Sequence, residues 1–175
     1  MLHHVEIDLS DVDRGVYEKL DVRTARHPSE SPRFLATRLF AYAFSYEPGI
    51  AFSKGGVSST DEPPVSVRDA TGVLRAWIDV GSPAAARLHK ATKLAERVAL
   101  FTCADVAYLS RESIHRKDEI AISSLDAAFV DAIGARIERH VRMEIVRNEG
   151  NLYVTMDGKI LESVIVAKTL EPGQS

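Results

Sequence analysis

The sequence contains one cysteine, one tryptophan and no long apolar run in 175 residues. Cys103 has no second thiol with which to form an internal disulfide, and a lone, buried thiol is typical of proteins kept in a reducing compartment. Residues 1–8 lack the apolar core of a signal peptide. No segment approaches the ~18 consecutive apolar residues that a membrane span requires. These absences predict a cytoplasmic protein that does not use a membrane as its partner.

Excess positive charge is also missing. The chain has 22 Lys and Arg residues against 25 Asp and Glu residues, which leaves a formal net charge of −3. A dedicated nucleic-acid-binding domain usually has a pI above ~9, whereas the pI here is about 6.1. A polyanion would therefore need a local basic patch or bridging cations. The HExxH and CxxC patterns of zinc sites and the Gly-Lys-Ser/Thr of a phosphate loop are absent as well.

The composition is that of a folded protein. Hydrophobic residues make up 45% of the chain and charged residues 27%, as in ordinary globular domains. The length fits one domain, and we find no internal repeat or linker. The sequence therefore predicts a single domain over residues 1–175.

Hydrophobic periodicity and turn residues predict strands and helices in alternation. The predicted strands cover residues 3–9, 16–24, 50–52, 65–67, 73–80, 98–102 and 119–123, with a Gly/Ser-rich loop at 55–60. The predicted helices run from the entry at 27–32 through 46, from Ser82 and Pro83 through 97, and over 105–115 and 125–137. Residues 139–146, 152–156 and 160–169 predict a C-terminal antiparallel β meander appended to the domain. This order indicates an α/β protein with a mixed central sheet flanked by helices.

Acidic residues and a lysine fall at the ends of these elements, where open α/β sheets place their sites. Glu30 is expected in the first turn of the first helix, Asp61 and Glu62 at the entry to the strand near 65, and Asp79 at the end of the next strand. Lys90 follows on the next helix. Carboxylates are suitable ligands for Mg²⁺, and a cation can stabilise charge that develops on a phosphoryl group.

The order helix, three strands, helix, strand resembles the core of the PD-(D/E)XK nuclease superfamily, in which an acid enters one hairpin strand and an acid-x-lysine lies on the next. A more specific similarity is to the bacterial YaeQ family. It rests on RHPSE at 26–30, DEP at 61–63, WIDVG at 77–81, Pro83 with Lys90, and VALFT at 98–102. The resemblance implies a variant restriction-endonuclease-like fold, with a nuclease-like core at about residues 26–103, and no established biochemical function.

The chemistry of these residue types and the resemblance together suggest roles for individual residues. Catalysis would fall to Glu62, Asp79 and Lys90. A Mg²⁺ or Mn²⁺ ion would be bound by Asp61, Glu62, Asp79 and Glu30. Phosphate groups would be contacted by Arg87, Lys93 and Arg26.

One position departs from the superfamily motif, because the lysine of acid-x-lysine is replaced by Gly81. Residues 79 and 81 of a continuous strand would project to the same face. We therefore expect a gap beside Asp79, which Lys90 would fill from the following helix.

Structural roles compete with each of these assignments. Asp79 can be the partner of a salt bridge to Arg87 or Lys90. Glu30 can complement a helix N-terminus. The row of basic residues that includes Arg87, Lys90 and Lys93 can be a solvated helix face. Two hypotheses remain. The chain is either a metal-dependent phosphodiesterase or nuclease acting on nucleic acid, or a non-catalytic module that keeps the fold and binds nucleic acid or protein. The position of Lys90 relative to the carboxylates discriminates between them.

Overall fold

The computed structural model describes residues 1–54 and 62–172. The predicted loop at 55–60 and Asp61 lie outside the described residues. Among the described helices, none is long and apolar enough to cross a membrane.

Within these ranges the chain forms ten strands and three α-helices. The strands are β1 (Leu2–Asp11), β2 (Val16–Ala25), β3 (Ile50–Phe52), β4 (Val65–Arg68), β5 (Leu74–Val80), β6 (Arg97–Thr102), β7 (Ala121–Leu125), β8 (His140–Asn148), β9 (Asn151–Met156) and β10 (Lys159–Lys168). The helices are α1 (Pro32–Phe44), α2 (Ala85–Leu94) and α3 (Ala127–Gly134), with short 3-10 segments at Ala107–Arg111 and Lys117–Glu119.

All ten strands belong to one mixed sheet, in the order β2-β1-β8-β9-β10-β7-β6-β5-β4-β3. The sheet curls into a nearly closed barrel around α1, nine of whose thirteen residues are buried. Its two edge strands approach the same side chain, because Arg38 of α1 donates a hydrogen bond to Thr24 of β2 and lies over the Phe52 ring of β3. The α/β class and the mixed sheet are as predicted, but α1 lies inside the curled sheet and does not flank it.

The C-terminal meander is not an appendage, contrary to the prediction. Strand β8 pairs in parallel with β1, and β10 pairs antiparallel with β7. The three strands therefore sit in the middle of the sheet and join its N-terminal hairpin to the β3–β7 half. Without these three strands, one edge of β1 and one edge of β7 would have no hydrogen-bonded neighbour. Each unpaired edge would expose a row of backbone N–H and C=O groups.

Strand β5 is covered on both faces, and its alternation decides where the site lies. Ala76, Ile78 and Val80 pack into the core around α1, whereas Trp77 packs with Leu88 of α2 in a second core on the outer face. Successive strand residues point to opposite faces. Asp79 therefore faces α2 together with Trp77.

Helix α2 is shorter at both ends than predicted. It begins at Ala85 with Ala84 as a cap that makes no side-chain hydrogen bond, so Ser82 and Pro83 lie outside it. At its other end, Arg116 donates hydrogen bonds to the carbonyls of Thr92 and Ala95. The last carbonyls of a helix have no amide partner within the helix. Arg116 binds two such carbonyls near the end of α2, so they are satisfied without a further helical turn, and β6 follows directly.

The predicted helix at 105–115 is replaced by the 3-10 segment Ala107–Arg111, and the second 3-10 segment follows it at Lys117–Glu119. The Asp105 side chain accepts from the Ala107 amide, which starts a tight turn. The buried Lys117 ammonium then binds the carbonyls of Ser110 and Glu112. Carbonyls bound by a lysine side chain do not need helical amides as partners, so a longer helix is not required to satisfy them.

Candidate functional site

Asp79 lies near the end of β5 with a side chain that is almost completely buried, its residue being 2% exposed. Its Oδ2 accepts hydrogen bonds from Arg87 Nε at 2.7 Å and from Trp77 Nε1 at 3.2 Å, and its Oδ1 accepts from the Val80 amide at 3.1 Å. The Arg87 guanidinium lies 5.2 Å from the centroid of the Trp77 ring. A buried carboxylate requires such compensation, and the first turn of α2 provides it.

Arg87 joins this carboxylate to the segment that enters β4. Its Nη2 donates to the Glu62 carbonyl at 2.9 Å, and the exposed Glu62 carboxylate accepts from Ser53 Oγ at 2.8 Å. Three of the predicted residues, Glu62, Asp79 and Arg87, are thus brought together. Asp61, which precedes them, lies outside the described residues.

Lys90 and Lys93 follow Arg87 on α2 at intervals of three residues, and both are exposed. The hydrogen-bond donors to the Asp79 carboxylate are Trp77, Val80 and Arg87; Lys90 is not one of them. Asp79 thus has the Arg87 salt bridge that the sequence offered as its structural role.

The expected gap at Gly81 is not on the Asp79 face. Strand β5 ends at Val80, and Gly81 has a positive φ of 91°, which is unfavourable for a residue with a side chain. A Cβ at this position would lie 3.4 Å from the Phe34 ring of α1. The prediction that residues 79 and 81 share a face is wrong because the strand has already turned. A lysine at 81 would point toward α1.

Glu30 lies before α1, not in its first turn as predicted, because Ser31 caps that helix through a hydrogen bond from the Phe34 amide. Its buried carboxylate forms an ion pair with Arg38 of α1 at 3.0 Å and accepts from the His27 amide. Its carbonyl accepts from Arg26 Nε. Glu30 and Arg26 therefore belong to a network beside β2 that, within the described residues, does not include Asp79, Glu62 or Arg87.

Trp77, which the sequence interpretation did not assign to the site, contacts it, and the Asp79 carboxylate affects the pKa of a second such residue, Tyr108. Trp77 bonds to Asp79 directly, and strand alternation was the signal that could have placed the two on one face. Tyr108 follows β6 and donates its hydroxyl to the Pro83 carbonyl at 2.7 Å. Burial, with a smaller effect from the Asp79 carboxylate, raises the pKa of Tyr108. Nothing in the sequence around Tyr108 indicated that its hydroxyl would bind the Pro83 carbonyl.

The described residues contain no group of three or more His, Cys, Asp and Glu side chains arranged to hold a metal ion. Asp79 has both oxygens engaged, and Glu30 is paired with Arg38. Within the described part of the chain, the cluster is therefore an anion neutralised by an arginine, with lysines alongside on the helix surface.

Cys103 follows β6 on the inner side of the sheet. Its Sγ is 3.7 Å from Thr37 Oγ1, and burial raises the pKa of the thiol. Because the thiolate is the reactive form, we expect iodoacetamide to modify the native protein at least about tenfold more slowly than the unfolded chain at neutral pH. Mass spectrometry of samples quenched over time would measure both rates. Equal rates, or a disulfide-linked dimer from unstressed cells, would contradict this expectation.

Comparison with known proteins gives a consistent result. A family model described as YaeQ protein matches residues 1–165. The "Uncharacterized protein YaeQ" of Escherichia coli (strain K12) is 25% identical over 171 residues, which cover 95% of this chain and 94% of that protein. The protein of the same name from Salmonella typhi is 32% identical over 110 residues, 63% of this chain and 58% of that protein.

Two solved structures share the fold over nearly their whole length. The crystal structure of YaeQ protein from Pseudomonas syringae has a TM-score of 0.88 and 30% sequence identity, covering 99% of this chain and 98% of that chain. The crystal structure of YaeQ protein from Xanthomonas axonopodis pv. citri has a TM-score of 0.87 and 26% identity, covering 97% of this chain and 98% of that chain.

Proposed function

The chain belongs to the YaeQ family, and we propose that it is a non-catalytic module that binds nucleic acid through the exposed face of α2. The order α1-β3-β4-β5-α2-β6 supports a variant PD-(D/E)XK nuclease-like ancestry for this part of the fold. The observation that carries the non-catalytic assignment is the Asp79–Arg87 ion pair. The acid that a nuclease would use for its metal is buried and neutralised by the neighbouring helix.

The hydrogen bonds of Asp79 explain why it is poorly suited to metal binding. Mg²⁺ demands a near-octahedral set of oxygen ligands and dehydrates reluctantly. Both Asp79 oxygens already accept hydrogen bonds, and Arg87 lies against Oδ2 at 2.7 Å. A divalent ion would have to displace the guanidinium and enter a pocket also bounded by Trp77. Gly81, at the motif lysine position, adjoins Phe34 and would not direct a lysine to this carboxylate.

The basic row on α2 supplies the binding surface. Arg87, Lys90 and Lys93 are spaced by three residues, so neighbouring members of the row lie on adjoining parts of the helix surface. Arg87 is fixed through Nε by Asp79, while Lys90 and Lys93 are exposed. Lysine and arginine side chains bind backbone phosphates without reading the bases. Because the overall charge of the chain is negative, binding to a polyanion depends on a local basic patch such as this row.

We expect this binding to be salt-dependent and to require the two lysines. In Lys90→Glu/Lys93→Glu, the slope of log K against log salt concentration should flatten by about 1.4–1.8, because each phosphate contact contributes about 0.7 for single-stranded and 0.9 for duplex nucleic acid. Fluorescence anisotropy of labelled single-stranded and duplex DNA and RNA oligonucleotides over a salt series measures the slope.

The matched control is Lys159→Glu/Lys168→Glu, which changes the net charge equally at two exposed positions on β10. It should retain the parent slope. If the parent binds none of these oligonucleotides, or if both double variants lose the same affinity, the α2 face is not the binding surface.

A metal-dependent phosphodiesterase acting on nucleic acid is the second candidate. One observation favours it: Arg87 bridges the Asp79 carboxylate and the Glu62 carbonyl, so positions assigned to a metal by family resemblance converge on one cation. Asp79, Glu62 and Asp61 would hold Mg²⁺ or Mn²⁺, which would activate a water for attack on the phosphodiester, and Lys90 would stabilise the charge that develops on the phosphoryl group. Glu30 would have to leave Arg38 to act as a further ligand. Metal-dependent cleavage of a labelled oligonucleotide that is lost in Asp79→Asn would establish this function in place of the first.

A further inference from the structure

The outer face of β2, β1 and β8 carries a second polar cluster, on strands that take no part in the α2 site. Arg23 of β2 pairs in register with His4 of β1, and His4 pairs in register with His140 of β8. Neighbouring strands lie about 4.8 Å apart, so these three side chains form a row across the sheet. Arg139, whose carbonyl accepts from the His4 amide, lies beside them, immediately before β8 begins at His140.

The two histidine rings are stacked and fixed in orientation. Their centroids are 4.6 Å apart and their planes differ by 12°. His4 Nε2 is 2.6 Å from the Asp21 carboxylate, and His140 Nε2 is 2.7 Å from the Glu6 carboxylate. Hydrogen bonds from Arg142 and then His140 lower the pKa of Glu6 to about 2. Both imidazoles are therefore oriented through Nε2 by carboxylates, which leaves their Nδ1 edges available to a ligand.

A cavity of about 490 Å³ lies against this row, lined by Met1, Leu2, His4, Arg23, Arg139 and His140. Arg23 and Arg139 are exposed, and neither guanidinium has an acidic partner within residues 1–54 and 62–172. Leu2 is 57% exposed and Met1 69% exposed. The cavity thus combines two uncompensated guanidinium groups with stacked flat rings and exposed apolar side chains.

We propose that this cavity binds a nucleoside phosphate. A guanidinium presents paired N–H donors that match the geometry of a phosphate, and two of them line one cavity. Its volume is within the range of small-molecule sites, about 300–1,000 Å³, which exceeds what an inorganic phosphate fills. The imidazole stack and Leu2 provide the flat and apolar surface on which a base packs. This site is independent of nucleic-acid binding on α2.

The test is isothermal titration calorimetry, which measures the affinity of the full-length chain for ADP. Binding should weaken by at least about tenfold in Arg23→Gln/Arg139→Gln, since each charge-assisted contact to phosphate is strong. Lys159→Gln/Lys168→Gln, which removes the same charge from exposed positions outside the cavity, should leave the affinity within about twofold, as expected for distant charges screened by salt. Circular dichroism checks that both double variants remain folded.

Two further measurements locate the ligand. In NMR spectra, the ring protons of His4 and His140 should shift during the ADP titration, while those of His89 and His115 should not. Inorganic pyrophosphate should bind more weakly than ADP, because it lacks the base. The proposal is overturned if ADP does not bind, if the arginine variant keeps the parent affinity, if the His4 and His140 signals do not move, or if pyrophosphate binds as tightly as ADP.

Discussion

Replacing Arg38 with methionine is expected to lower the free energy of unfolding by about 3–5 kcal/mol, the range for breaking a buried ion pair from one side. The side chains of Arg38 and Glu30 are 7% and 1% exposed. Removing the guanidinium leaves the Glu30 carboxylate buried with only the His27 amide as a donor. It also removes the hydrogen bonds to Thr24 and to the Ala25 carbonyl that tie α1 to β2. Urea denaturation followed by circular dichroism measures the change.

The same helix provides a matched control. Arg33 of α1 forms a two-point ion pair with Asp131 of α3, but each side chain is 48% exposed. Arg33→Met should therefore cost no more than about 1 kcal/mol, as exposed ion pairs do. The double variant Glu30→Leu/Arg38→Met should recover much of the stability lost in Arg38→Met, because no uncompensated charge remains. Equal losses in Arg38→Met and Arg33→Met would refute the structural role assigned to Glu30.

Asp79→Asn is expected to lower the free energy of unfolding by about 3 kcal/mol, near the lower end for a buried pair, because the Arg87 side chain keeps 21% of its exposure. The single amide oxygen of asparagine can replace only one carboxylate oxygen, either Oδ1, which accepts from Val80, or Oδ2, which accepts from Trp77 and Arg87. The expected loss therefore includes a hydrogen bond as well as the charge of the ion pair. Asp131→Asn breaks an exposed pair and should cost about 1 kcal/mol or less. Chemical denaturation of both variants gives the comparison.

Divalent metal separates the two functional candidates in this experiment. A ligand that binds only the folded state raises stability by mass action. On the binding-module proposal, Mg²⁺ and Mn²⁺ leave the melting temperature of the parent unchanged, and Asp79→Asn is destabilised equally with and without metal. A parent stabilised by either ion, together with an Asp79→Asn variant that is as stable as the metal-free parent and insensitive to metal, would instead support the phosphodiesterase. In that case Asp79 adds to the repulsion among neighbouring carboxylates, and a bound ion relieves that repulsion.

Some features of the site followed from local patterns. Strand alternation and a terminal turn predicted that Asp79 ends a strand and that the next helix carries Arg87 and Lys90 close by. The same alternation, continued one residue too far, placed Gly81 on the wrong face. The error was local in origin: a positive φ at 81 ends the strand, and glycine permits that conformation without requiring it. The sequence offered Arg87 and Lys90 as alternative salt-bridge partners of Asp79, and only the structure selected Arg87.

The sequence by itself determined the order and type of the strands and helices of the first hundred residues, although not the ends of α1 and α2, because period, turn residues and proline positions are read over a few neighbouring residues. It also determined the family, since the segments that carry the resemblance are contiguous. The tertiary structure alone decided that the C-terminal meander fills the middle of the sheet, that Glu30 pairs with Arg38 between the two edge strands, and that the Tyr108 hydroxyl binds the Pro83 carbonyl. These contacts depend on how the sheet closes around α1. Strand order and charge pairing of this kind are set by elements far apart in the chain, and no local periodicity encodes them.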